Sequence, residues 1–200
     1  MAHSPIHILY LSGLGDEYDV LRLRVLRWWH FKNVTVELVP MNWTEGTFEQ
    51  KLARIDMAID RAKGKRVVML GESAGGSMAI HTYARRGDDL YKVMTLCGKN
   101  TQPEKVADHY YENHPAFKTS MERLNESLAQ LSDQQKQNFV SIHPLYDPTV
   151  PVPETLLPGC RQVRLWAVGH LSVIALGLTL FSPVIVRAAR RAAKAKNASN

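Results

Sequence analysis

Apolar positions along this 200-residue chain follow two alternating periods. Short runs rich in Val, Ile and Leu read as strands at residues 6–13, 34–40, 66–71, 92–98, 139–144 and 161–169. In the second, Val34, Val36 and Leu38 share one face. RVVMLG at 66–71 and KVMTLCG at 92–98 are continuously apolar, as strands buried on both faces require. The segments between carry helical spacing. Phe48, Leu52, Ile55, Ile59 and Ala62 line one helical face, with Thr47 and Gln50 as a capping box and Gly64 suited to the C-terminal cap. Asp19–Phe31 reads as an earlier helix, Ser73–Arg86 as a later one ended by Gly87, and Leu171–Val186 as a single final helix. Strand and helix in regular alternation predict crossover connections. The expected fold is therefore α/β, one domain over residues 1–200, with a mostly parallel six-stranded sheet and helices on both faces.

One interval breaks the rhythm. Residues 99–138 are too long for a single crossover. They predict a helix over 103–113, a second marked by Phe117, Met121, Leu124, Leu128 and Leu131, and a short third capped by Ser132 with Gln135. The stripe of the second helix suits ordinary packing, and packing over a site as well.

Composition changes this picture little. Apolar residues make up 45% and charged residues 22%, which are globular values. The net charge of +6 is uneven, because residues 187–200 hold Arg187, Arg190, Arg191, Lys194 and Lys196 and no acid, leaving the other 186 residues at +1. The basic balance thus describes a tail and not a nucleic-acid-binding face. That tail reads first as a solvated helix end; weak contact with an anionic membrane surface and phosphate binding are the competing readings. Cys97 and Cys160 form no CxxC, and no trio of His, Cys, Asp or Glu has metal-ligand spacing, so neither metal nor cofactor is expected. The N-terminus lacks the pattern of a signal peptide, and residues 171–186 are too short and broken to span a bilayer. These features suggest a cytoplasmic location. They leave the oligomeric state open.

The candidate chemistry begins at residues 71–76, GESAGG. Ser73 follows an apolar strand and opens a helical pattern, the setting a nucleophile elbow needs. The competing reading is a strand–turn–helix that merely favours small residues. Gly13 and Gly15 form a loop after the first strand, from which the Leu14 N–H could join that of Ala74 in an oxyanion hole. Asp147 follows the fifth strand in a Pro-rich turn, and His170 follows the sixth directly after Gly169. Both sit where parallel sheets collect ligands, just beyond the C-terminal ends of strands. His143 is the weaker candidate for the base, and Glu154 and Asp133 are the weaker candidates for the acid. His109 and His114 fall in the insertion, more in keeping with a solvated surface than with an entrance. Glu72 takes no catalytic role.

These residues resemble the α/β-hydrolase family over nearly the whole chain. The likeness rests on Ser12–Gly15, Gly71–Gly76, Asp147–Pro151 and Gly169–His170. It implies a minimal fold without the family's first two antiparallel strands, and a lid at about 99–138. Ser12-Gly13 stands where the family often has His-Gly. The implied activity is a serine hydrolase cleaving a carboxylic ester or thioester of a small acyl substrate, with Ser73, Asp147 and His170 as triad, Leu14 and Ala74 as oxyanion donors, and no cofactor. A non-enzymatic binding or scaffold protein on the same fold is the alternative.

Overall fold

A computed structural model of the protein describes residues 4–191. Six strands form one sheet among these residues: β1 Ile6–Leu11, β2 Val34–Val39, β3 Arg66–Glu72, β4 Lys92–Leu96, β5 Val140–His143 and β6 Arg161–Arg164. Their order is β2-β1-β3-β4-β5-β6, and every pairing is parallel. The most apolar runs, β1, β3 and β4, take the interior positions, and β2 and β6, with more exposed residues, take the edges. All C-terminal ends point the same way, so the loops that follow β1, β3, β4, β5 and β6 share one rim.

Helices cover both faces. One layer holds α2 Phe48–Arg61, α3 Gly75–Arg86 and the insertion between β4 and β5. It packs on Leu9, Leu11, Met69 and Val93. The other holds α1 Asp19–Leu26, α8 His170–Leu178 and α9 Ser182–Arg190, packed on Ile8, Tyr10, Val68 and Leu70. Strands β1, β3 and β4 feed one core from odd positions and the other from even ones, as the pleat requires.

The insertion holds α4 Asp108–Asn113, α5 Pro115–Glu122, α6 Leu124–Gln130 and α7 Asp133–Asn138. Where a helix over 103–113 is expected, a short 3-10 turn at Pro103–Lys105 precedes α4. The expected second helix is broken between α5 and α6, yet Phe117, Met121, Leu124 and Leu131 are buried against the α2–α3 layer. The capping boxes at Thr47/Gln50 and Ser132/Gln135 are both formed.

Two helices depart from expectation. Helix α1 ends at Leu26, not Phe31, in i→i+3 turns from Trp28 N–H to Val25 and Trp29 N–H to Leu26. The expected final helix is two helices bent by 72°. Pro183 cannot donate to Thr179, and its ring would clash with that carbonyl in a continuous helix. The Thr179 carbonyl instead accepts from the Ser182 N–H and hydroxyl at 3.2 and 2.7 Å. Among the described residues, no single helix is long and apolar enough to cross a membrane. Of the basic tail, Arg187 and Arg190 lie in α9, whereas Lys194 and Lys196 lie outside the described residues.

Candidate active site

The turn from β3 into α3 is tight enough to exclude side chains. A Cβ on Gly71 would lie 2.4 Å from the Gly75 carbonyl oxygen, and one on Gly75 would lie 2.5 Å from that of Leu11. Ser73 sits between them at φ 47°, a left-handed conformation that costs a non-glycine residue energy. Three backbone bonds hold it there: its N–H to Leu96, and its carbonyl from Gly76 and Lys99. Helix α3 consequently starts at Gly75, two residues later than its apolar spacing predicts.

His170 is the first residue of α8, reached through Gly169 at φ +90°. Its Nδ1 lies 2.7 Å from Asp147 Oδ2 and its Nε2 lies 2.9 Å from Ser73 Oγ. A carboxylate accepts only, so Nδ1 carries the proton, Nε2 presents its lone pair and the Ser73 hydroxyl donates. Asp147 is buried, and its Oδ1 accepts the Thr149 and Val150 N–H groups, each at 2.9 Å. Burial pushes its carboxyl upward, but His170 and the two N–H donors outweigh that and hold it below the usual carboxylate range.

A fourth residue joins these three. Cys97, at the end of β4, is fully buried at φ 50°. Its sulfur, an Asp147 carboxylate oxygen and an imidazole nitrogen of His170 all lie within 4.8 Å of one another. The sequence reading set both cysteines aside and described an ester- or thioester-cleaving serine esterase on three residues. That description is corrected: the buried Cys97–Asp147–His170 group means that acid and base face a thiol as well as a hydroxyl. The serine-esterase assignment, and the ester or thioester substrate class built on it, are set aside. No trio has metal-ligand spacing along the sequence, yet the fold brings these three ligand-type groups together. The reason is topological, because β4 and β5 are neighbours and place distant residues at one rim.

The chemistry of this cluster fits an acid–base centre better than a metal centre. Burial, then the Asp147 and Glu72 carboxylates, push the Cys97 thiol far up, which keeps it a neutral S–H. Thiol ligation to metal requires the thiolate. Both imidazole nitrogens are also engaged already, one by Asp147 and one by Ser73.

Behind the elbow lies a second ionic cluster. Glu72 is buried, not exposed, and Arg22 reaches it from α1, with Nε 3.0 Å from Oε2. The Tyr10 hydroxyl donates to the same carboxylate. Arg22 also donates to the Gly15 and Leu14 carbonyls at 2.8 and 3.1 Å and to Asp19 at 2.9 Å. One guanidinium therefore ties the loop after β1 to the elbow. A third ion pair, Lys99 with Glu154, is buried at the rim as well.

A pocket of about 380 Å³ opens over Ser73. Leu14 and Ala74 line its floor; Lys99, Tyr110, Phe117 and Val150 are among its walls. The insertion thus reaches the pocket through Tyr110 and Phe117 while packing on the core. The weaker candidates fall elsewhere. His143 Nδ1 bonds the Pro144 carbonyl, Glu154 is held by Lys99, and His109 is exposed. Sequence reasoning missed Cys97, although its place at a strand's C-terminal end is the signal that found Asp147 and His170. It also missed Arg22, for which a helix position gives no such signal.

The sheet order, the elbow and the helical insertion decide the classification. This chain has the α/β-hydrolase fold. Solved structures similar to it include a pyrethroid hydrolase from Sphingobium faniae JZ-2, with TM-score 0.65 and 12% identity, covering 92% of this chain and 97% of that one. The esterase domain of a Rhodothermus marinus protein matches with TM-score 0.61 and 13% identity, over 92% of this chain and 90% of that chain. Est1E from Butyrivibrio proteoclasticus matches at TM-score 0.57 and 14% identity, over 92% and 89%. No protein-family model and no curated protein matches the sequence.

Proposed function

We propose that this α/β-hydrolase-fold protein is a hydrolase of small molecules, with His170 as general base, Asp147 as the group that orients it, and Ser73 as the site residue from which the base draws a proton. One observation carries the reading. An unbroken hydrogen-bonded line runs from Asp147 through His170 to Ser73, at 2.7 and 2.9 Å, and ends at the pocket floor. A base must lie within such reach of the proton it takes, and its partner must fix the tautomer. Leu14 and Ala74 supply N–H groups for charge that develops on a substrate oxygen. The pocket volume suits a small molecule. The structural neighbours named for hydrolysis support the same broad class, at identities that speak for the fold alone.

The test is a panel of chromogenic esters, thioesters, lactones and amides offered to the wild type and to His170→Ala. The best substrate should lose at least about 10²-fold in kcat/KM, the low end of what a positioned acid–base group contributes. Turnover undiminished in His170→Ala ends the hydrolase reading of this site. Ser73→Ala and Cys97→Ala, run beside it, identify which neighbour of the base is required.

A further inference from the structure

The outer layer formed by α1, α8 and α9 exposes apolar side chains that nothing among the described residues covers. Trp28 is 82% exposed, Leu171 72% and Leu180 70%. They belong to one surface, because the three helices pack side by side over a single core. Trp29 Nε1 donates to the Leu178 carbonyl at 2.7 Å, and Arg190 reaches the Lys32 carbonyl at 2.7 Å. A shallow groove between α1 and α8 is lined by Trp28, Leu178 and Thr179. Trp166, 78% exposed, lies in the loop between β6 and α8, at the rim that holds His170.

Charge on this layer is mostly positive, and the one acid on its helices, Asp19, is paired with Arg22. No Asp or Glu occurs from residue 20 to 36 or from 155 to 191. The exposed cations there include Arg24 on α1, Arg27 at its C-terminal cap and Arg187 on α9, none of which has an ion-pair partner among the described residues. Exposed tryptophan and leucine beside unpaired arginines form the pattern of a helix that lies in a lipid interface. A second copy of this chain fits poorly. A two-fold contact would set these arginines against themselves, since the carboxylate on these helices, Asp19, is already engaged by Arg22.

We propose that the α1–α8–α9 face docks this protein on an anionic lipid surface, with the helices lying on the membrane and not crossing it. The proposal is independent of the reaction at His170. It differs from a tail-driven contact, because its residues lie on the folded surface. Since α8 begins with His170, docking brings the pocket rim near the lipid.

The full chain should sediment with vesicles of phosphatidylcholine mixed with phosphatidylglycerol, in a salt-sensitive manner, and far less with phosphatidylcholine alone. Trp28→Ser with Leu180→Ser should weaken binding at least tenfold. Arg24→Gln with Arg27→Gln should weaken it about 25-fold, roughly fivefold for each cation. These residues are exposed, so circular dichroism and hydrolysis of a soluble substrate should be unchanged. Lys194→Gln with Lys196→Gln should retain binding to within about fivefold. Three results would overturn the proposal: no binding to anionic vesicles, binding lost only through the Lys194 and Lys196 changes, or a dimer that dissociates on Trp28→Ser with Leu180→Ser and never binds vesicles.

Discussion

Two buried carboxylates flank Ser73, and their partners give them different work. Asp147, on the β5 side, is paired with an imidazole; Glu72, on the β1 side, is paired with a guanidinium. Both are shielded from water, and both accept several donors. An imidazole nitrogen can take up and release a proton, so the Asp147–His170 pair can move one. A guanidinium does not: burial opposes the charge on Arg22, but Glu72, with Tyr10 and Asp19, outweighs it and keeps Arg22 charged. The Glu72–Arg22 pair can therefore only hold geometry, which it does by fastening the Leu14 loop to the elbow. The nature of the cation, not the burial of the carboxylate, separates chemistry from scaffolding.

The largest expected effect breaks the first pair. Asp147→Asn keeps the acceptor for the Thr149 and Val150 N–H groups but turns an amide NH2 towards Nδ1. The wrong tautomer then faces Ser73, and kcat should fall about 10⁴-fold, equivalent to roughly 5.5 kcal/mol in the barrier. Thermal unfolding should barely change. A loss under tenfold, measured by steady-state kinetics, would place the orienting acid elsewhere.

Breaking the second pair should show the reverse pattern. Arg22→Ala leaves Glu72 buried and unpaired, at a cost of about 3–5 kcal/mol in chemical denaturation. Arg22→Met combined with Glu72→Leu should recover much of that stability, since removing both charges removes the desolvation penalty too. If the double variant were as unstable as the single, the pair would matter through packing and not charge.

A third buried group sharpens the contrast. His81, on α3, meets only neutral partners, Ser127 Oγ at 2.7 Å and the Ser120 carbonyl at 2.8 Å. Burial dominates there and lowers its pKa to about 4. The unfolded chain binds this proton below about pH 6.5 and the folded chain only near pH 4, so stability falls as pH drops through that window. The loss amounts to roughly 3 kcal/mol, and it should vanish in His81→Gln, as urea titrations at pH 7 and pH 4 would show. An unchanged slope in His81→Gln would assign the loss to carboxylates instead.

The smallest effect is expected at Cys97. The proposed role of His170 with Ser73 leaves the neutral, fully buried Cys97 thiol a packing role, so Cys97→Ser should change kcat less than tenfold, about 1.4 kcal/mol. A loss matching that of His170→Ala, with the fold intact, would make the thiol itself the reacting group.

The difference between these regions also explains what the sequence revealed. Strands β3 and β4 were legible because burial on both faces leaves an unbroken apolar run. Ser73, Asp147 and His170 were legible because each immediately follows a strand, where topology alone brings them to one rim. Arg22 and Glu72 are 50 residues apart, and their pairing depends on how α1 packs against β3. An arginine within a helical run carries no mark of that. Cys97 sits at the same kind of strand end as Asp147, but between Leu96 and Gly98 it reads as one more small apolar residue. The bend between α8 and α9 was hidden by an apolar run that continues through it, although Pro183 supplied the cause.

The central claim is that His170, held by Asp147, is the base of this site. It is tested most directly by measuring hydrolysis and unfolding together for His170→Ala, on the best substrate of the panel. The account predicts a fall of at least about 10²-fold in kcat/KM with the unfolding midpoint nearly unchanged. Retained turnover in a folded His170→Ala protein would contradict it.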